Sequence, residues 1–133
     1  MELMIVTKYL AALIKGLGLV PVSTVSANKV PERFIFYQVV GANPLPSQRA
    51  TASERVSVNI SSIASRRAEA EADLQQVLQA LTDSYELDVS HAGVSPSYLE
   101  VTALPVLLPA VSAADLSKQA YQYTMTATLI FQT

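Results

Sequence analysis

The stretch Glu54–Leu81, ERVSVNISSIASRRAEAEADLQQVLQAL, changes its hydrophobic period half-way along. In its first part Val56, Val58 and Ile60 alternate with Arg55, Ser57, Asn59 and Ser61. A period of two puts the apolar set on one side of an extended chain and the polar set on the other, the pattern of a strand with one buried face. From Ser65 the period lengthens. Ala70, Leu74, Val77, Leu78 and Leu81 form a helical stripe, with Arg66, Arg67, Glu69, Asp73, Gln75, Gln76 and Gln79 largely outside it. Ser62 or Ser65 is placed to cap this helix, and the carboxylates fall in its N-terminal half, where the helix dipole favours them. The stretch therefore predicts a strand over 55–63 and an amphipathic helix from 65 to about 82, which lies on the sheet that the strand belongs to.

The flanks extend this layout in both directions. Upstream, Pro31 opens Arg33–Val40, whose aromatic and β-branched residues predict a strand that is apolar on both faces: Phe34, Phe36 and Val40 against Ile35, Tyr37 and Val39. Gly41 ends it. Residues 42–53 show no periodicity and carry Pro44 and Pro46, which predicts a long flexible loop, either solvated or in contact with a partner. At the start of the chain, Leu3, Val6, Leu10, Leu13 and Leu17 mark one face of a helix that stops at Gly16 and Gly18, ahead of Pro21. The rival for this segment is a signal peptide, because Val25-Ser26-Ala27 resembles a cleavage pattern. Glu2, Lys8 and Lys15 speak against it, since they confine the uninterrupted apolar run to Tyr9–Ile14, far short of the roughly 20 residues of a membrane span.

Downstream, 83–98 read as a polar connection. Leu99–Val111 is extended and apolar, but Pro105 and Pro109 cannot donate ladder hydrogen bonds, so this strand is broken or lies at a sheet edge. Tyr121–Phe131 closes the chain as a strand. The order helix, strand, strand, helix, strand, strand predicts one α+β domain spanning 1–133: a four-stranded, mainly antiparallel or mixed sheet with two helices packed on one face.

Composition narrows the function. Half of the 133 residues are hydrophobic and 15% are charged, against roughly 25% charged in an average soluble domain. Nine basic and eleven acidic residues give a net charge of −2, unlike the basic footprint of a nucleic-acid binder. The chain has no cysteine and a single histidine, His91, which excludes disulfide scaffolds, zinc ribbons, thiol chemistry and a multi-histidine metal site within one chain. The best chemical candidate is Asp83, Glu86, Asp88 and His91, but their spacing matches neither a calcium loop nor a zinc-binding helix, and a solvated turn explains them. No Gly-x-Ser-x-Gly or phosphate-cradling glycine loop occurs. No catalytic, cofactor-binding or metal-binding residue is assigned, and an enzyme is not expected. What remains is a chain too apolar for its few charges to solvate, notably from Val101 to Ala114, where no charge occurs. Neighbouring copies are expected to cover part of its outside.

The block Glu54–Leu81 and the layout around it resemble the tail terminator proteins of long-tailed bacteriophages. The correspondence runs through an opening helix at Leu3–Leu17, a Pro-Arg-Phe-type strand at Pro31–Val40, an alternating strand at Arg55–Ile63, a Ser-Arg-initiated alanine-rich helix at Ser65–Leu81 and a Tyr-led closing strand at Tyr121–Phe131. Where that family often ends its first strand in a glycine pair, Gly41 is followed here by Ala42. The resemblance implies a non-enzymatic virion protein at the head-proximal end of the tail, assembled in the host cytoplasm. It implies a homohexameric ring that caps the tail tube, ends tube polymerisation and meets the head-completion or connector protein, with phage DNA passing through the lumen without specific binding and no membrane involved. Another head-tail joining protein (a connector stopper or adaptor) or a tail tube subunit is the alternative. On this reading Gln48 and Arg49 touch an axial partner, and Leu104, Val106, Leu107 and Leu108 lie at a subunit boundary. Arg66, Arg67 and Glu69 either form inter-subunit ion pairs or remain a solvated helix face.

Overall fold

A computed structural model of the chain describes residues 2–23, 33–44, 53–108 and 121–132. The elements follow in the order α1 (Glu2–Gly16), β1 (Pro21–Val22), β2 (Phe34–Pro44), β3 (Ser53–Ala64), α2 (Arg67–Glu86), β4 (Tyr98–Leu107) and β5 (Tyr121–Gln132). They form one mixed five-stranded sheet of order β1-β2-β3-β5-β4, with both helices on one face. The α+β reading holds, with one strand more than the four expected. Pro21–Val22, where the sequence reading placed no strand, pairs in parallel with Ile35 and Phe36 of β2. All the other pairings are antiparallel.

The alternation in β3 does what its pattern demands. Val56, Val58 and Ile60 are buried under the helices, and directly opposite them stand Leu129, Ala127 and Met125 of β5. Ile35 and Tyr37 of β2 continue the same layer. From above, α1 contributes Val6, Tyr9, Leu10, Leu13 and Ile14, and α2 contributes Ala70, Leu74, Val77 and Leu81. The stop of α1 is a complete Schellman motif. Gly18 takes a positive φ of 78°, its N–H donates to the Lys15 carbonyl at 3.0 Å, and the Leu19 N–H donates to the Ile14 carbonyl at 3.3 Å.

Several boundaries differ from the sequence reading. Residues 42–44 belong to β2 and Ser53 to β3, because Ala42, Asn43 and Pro44 find partners in Val56, Arg55 and Glu54 across the hairpin. The expected loop is shorter at both ends, and 45–52 lie outside the described residues. Helix α2 runs on to Glu86, where the Leu87 N–H closes it on the Asp83 carbonyl at 2.8 Å. Neither serine caps its start. Arg66 occupies the N-cap without a side-chain bond, and Ser62, inside β3, instead donates its hydroxyl to the Ala70 carbonyl and so ties the first turn of α2 to the sheet. The third predicted strand is at the edge, as its prolines require, and its register with β5 slips twice, between Val101 and Ala103 and between Ala103 and Val106. Among the described residues no helix is long and apolar enough to cross a membrane.

The burial pattern separates two leucines. Leu74→Ala empties a fully enclosed site and is expected to cost about 2–5 kcal/mol. Leu104→Ala, at an exposed position of β4, is expected to change the stability of the isolated protomer by less than about 0.5 kcal/mol. Urea unfolding at low protein concentration measures both, and equal costs would contradict the burial described here.

Candidate functional site

Three parts of the surface carry what chemistry the molecule has: the β4 edge, the helix-free face of the sheet and the corner where β1 and β2 begin.

On β4, Leu104, Val106 and Leu107 are 67, 53 and 38% exposed. Among the described residues β4 pairs with β5 alone, and its ladder slips between Val101 and Ala103 and again between Ala103 and Val106, where Pro105 lies. Leu108 is partly buried, and its N–H donates to the Gln122 carbonyl at 2.8 Å. The four boundary residues named from sequence are therefore adjacent, and three of them are exposed apolar side chains on one edge.

The helix-free face is a polar sheet surface at its centre. Ser57 and Thr128 approach to 3.3 Å, Thr126 donates to the Asn59 amide oxygen at 2.7 Å, and Ser61 donates to Thr124 at 3.0 Å. Three cross-strand pairs between β3 and β5 are thus each joined by one side-chain hydrogen bond, forming an uncharged ladder of hydroxyl and amide groups. Phe36 of β2, opposite Ser61, adjoins it on one side.

The corner at the start of β2 is organised by a fork. Arg33 Nε and Nη2 donate to the two carboxylate oxygens of Asp73 at 2.8 and 2.7 Å, and Nη1 donates to Glu69 at 2.8 Å. Asp73 is 1% exposed, whereas the Arg33 side chain is 47% exposed. The paired Asp73 carboxylate, through hydrogen bond and charge and with Glu69 adding, raises the Arg33 pKa above its already high ordinary value. Beside this fork lies a pocket of about 310 Å³ between the end of α1 and the start of β2, with Leu17, Leu19, Val20 and Phe34 among its walls and Arg33 and Asp73 at its base.

The sequence placed Asp73 outside the apolar stripe of α2, and the structure buries it. A carboxylate on a helix reads as solvated unless its cation is known, and this cation stands 40 positions upstream. The available signal was an arginine opening an otherwise apolar strand. The same fork engages Glu69 within the chain. Arg67 is engaged as well: its Nε donates to the Tyr123 hydroxyl at 3.0 Å, which raises the Arg67 pKa, and Tyr123 in turn lies 3.4 Å from Glu71. Arg66 is exposed and has no side-chain partner among the described residues. Gln48 and Arg49 lie outside the described residues.

The acidic cluster is dispersed. Asp83 accepts from Gln79 at 2.9 Å, and Asp88 accepts from Ser95 at 2.6 Å. His91 stands edge-on to Tyr9 with ring centroids 5.7 Å apart. Ala92 and Gly93, both at positive φ, close a tight turn in which His91 and Val94 exchange backbone hydrogen bonds. Among the described residues no group of three His, Cys, Asp or Glu side chains could hold a metal ion. Burial raises the Tyr9 pKa, which the neighbouring Ser84 partly offsets. The Tyr9 hydroxyl is nonetheless buried without a hydrogen-bond partner among the described residues, and Ser84 donates to the Val89 carbonyl at 2.6 Å.

Comparison with known proteins gives a likeness among solved structures. No family model matches the chain, and no curated protein matches it. Among solved structures, a chain of the "Virion of native gene transfer agent (GTA) particle" superposes with a TM-score of 0.58 at 17% identity, covering 93% of this chain and 84% of that one. The two chains share a fold.

Burial lowers the pKa of His91 below its ordinary value of 6.5. The unfolded chain then binds the proton more readily than the folded one, so His91 stabilises the fold above about pH 6.5 and that contribution is lost as pH falls below it. Because His91 is the single histidine, its imidazole resonances in a proton NMR titration give the folded-state midpoint directly, and a midpoint above 6.5 would contradict its burial. His91→Gln is expected to flatten the decline in stability just below that pH.

Proposed function

We propose that this chain is a structural protein of a tailed-phage-like virion and acts as a tail terminator. Copies close into a hexameric ring at the head-proximal end of the tail, cap the tube, end its polymerisation and present a surface to the connector. The role is one of assembly, without catalysis.

The observation that carries this reading is the fold shared, over 93% of the chain, with a chain of a gene transfer agent virion. The surface supports it. A protomer with 15% charged residues leaves Leu104, Val106 and Leu107 exposed on one edge, which is the property of a subunit rather than of a free monomer. The uncharged hydroxyl ladder on the helix-free face suits a wall past which DNA moves without being held, since affinity for phosphate comes mainly from lysine and arginine.

Light scattering and negative-stain electron microscopy of the purified chain, alone and with polymerising tail tube protein, test the proposal. The expected result is a ring in solution or on tube ends, with tubes that stop growing when the chain is added. A strictly monomeric chain that binds no tube and leaves tube length unchanged would overturn it. Long tubes made by the chain alone would make it a tube subunit instead, and binding to the connector without any effect on tubes would make it a stopper or adaptor.

A further inference from the structure

The charges of the chain are segregated. Of the nine basic residues Lys118 alone lies beyond Arg67, whereas of the eleven acidic residues only Glu2, Glu32 and Glu54 lie before it. The helix layer carries the same division. α1, which packs over β1 and β2, exposes Lys8 and Lys15. α2, which packs over β3, β5 and β4, ends in Asp83 and Glu86 and is followed by Asp88. No basic residue stands in the last turn of α2, so these carboxylates gather at the negative end of a helix dipole, the less favourable place for them. Among the described residues the ion pairs all belong to Arg33, and Lys8, Lys15, Glu86 and Asp88 find no counterion there.

The acidic end is also apolar. Residues 85–90 are all exposed, Leu87 most of the large apolar ones at 70%. Glu86 and Asp88 flank it. The turn that presents Leu87 is tied down: Asp88, at a positive φ of 55°, accepts from Ser95 at 2.6 Å, and the Val89 carbonyl accepts from Ser84. On α1, Lys8, Ala11, Ala12 and Lys15 follow the i, i+3, i+4, i+7 spacing of one helix face. At 1.5 Å per residue the two lysines stand about 10 Å apart along the axis, with two small side chains between them.

We propose that Leu87 of one copy packs onto α1 of the next copy at Ala11 and Ala12, with Glu86 and Asp88 beside Lys8 and Lys15. The proposal rests on the ring reading and specifies its contact. The occupant is a second copy because the two patches carry opposite charge, lie on opposite sides of the helix layer and each lack within the protomer the counterions that the other supplies. They also lie toward one end of the strands. The ring of Tyr9, next to Lys8, stands 5.0 Å from that of Phe131, and the ring of Tyr85 stands 6.4 Å from that of Tyr98, which pairs with Ile130, the neighbour of Phe131. Patches at one height leave no rise between copies, as closure into a ring instead of a filament requires. Exposed ion pairs contribute little affinity. Their part is to select which patch meets which, while Leu87 and the aliphatic stems of the lysines supply the apolar contact.

Two charge-altered chains test the contact. One carries Glu86→Lys and Asp88→Asn, since asparagine tolerates the positive φ of Asp88. The other carries Lys8→Glu and Lys15→Gln. Each is expected to keep its thermal unfolding midpoint and to assemble at least ~tenfold more weakly than the unaltered chain, because like charges then face each other. An equimolar mixture of the two is expected to recover rings, since every contact in an alternating ring again joins opposite charges. Leu87→Ser, at a position exposed in the protomer, is expected to leave the unfolding midpoint unchanged and to weaken assembly at least ~tenfold. Altered chains that each form rings as readily as the unaltered one would overturn the proposal while leaving the ring reading intact. A mixture that stops at dimers, or that recovers nothing, would overturn it in the same way. An unaltered chain that never assembles, alone or on tubes, would overturn both.

Discussion

The Arg33–Asp73 fork is the constraint that joins the fold to its surface. Asp73 sits on the buried side of α2, and a carboxylate withdrawn from water is tolerated only when charge and hydrogen bonds replace its hydration. Arg33 supplies both with two parallel N–H donors and spends a third on Glu69. The arginine stands at the threshold of β2, so the fork sets how the start of that strand lies against α2. Everything beside it inherits this placement. Ile35 donates its N–H to the Val20 carbonyl at 2.8 Å, β1 pairs with Ile35 and Phe36, and the recess opens between them and the end of α1. The half-exposed guanidinium keeps the link polar at its rim, where a wholly apolar substitute would lose the directionality that a bidentate pair provides.

How much of this was legible depends on where each signal's partner lies in the sequence. The face of α1 could be read because Val6, Leu10 and Leu13 repeat at helical spacing within one element. The alternation of β3 could be read for the same reason, and that β4 is broken or lies at an edge followed from Pro105 and Pro109, since a proline removes a ladder donor wherever it stands. The features that escaped are non-local. A strand of two residues has no period, and Pro21–Val22 becomes one only because β2 offers a free edge. The burial of Asp73 depends on an arginine from another element. Strand residues 42–44 carry turn-like chemistry in Gly41, Asn43 and Pro44, yet pairing with an already formed β3 overrides it.

The residues proposed to meet a partner divide along the same line. The exposure of Leu104, Val106 and Leu107 follows from the edge position that a proline-bearing strand takes, and this is a property of the segment itself. For the ionic candidates the sequence shows nothing of the partner: within the protomer Glu69 accepts from Arg33, and Arg67 donates to Tyr123. Exposed ion pairs contribute little in any case. An interface built from them would be weaker and more salt-dependent than one built on apolar side chains.

In the proposed ring, joining copies edge to edge would decide which surface faces inward. With the axis along the strands, the two faces of each sheet would become the inner and outer walls, and the helices would occupy one of them. Five strands per copy at about 4.8 Å spacing give six copies a circumference of roughly 140 Å and a sheet-to-sheet diameter of roughly 45 Å. Two helices per copy, each about 10–12 Å across with its side chains, would fill much of such an interior if they pointed inward. Outside, they would meet no such crowding, and the helix-free face would become the lumen. The wall would then include the Ser57–Thr128, Asn59–Thr126 and Ser61–Thr124 pairs, each joined by one hydrogen bond. A surface that is polar enough to remain wet and carries no charge at its centre offers a passing polyanion little to hold.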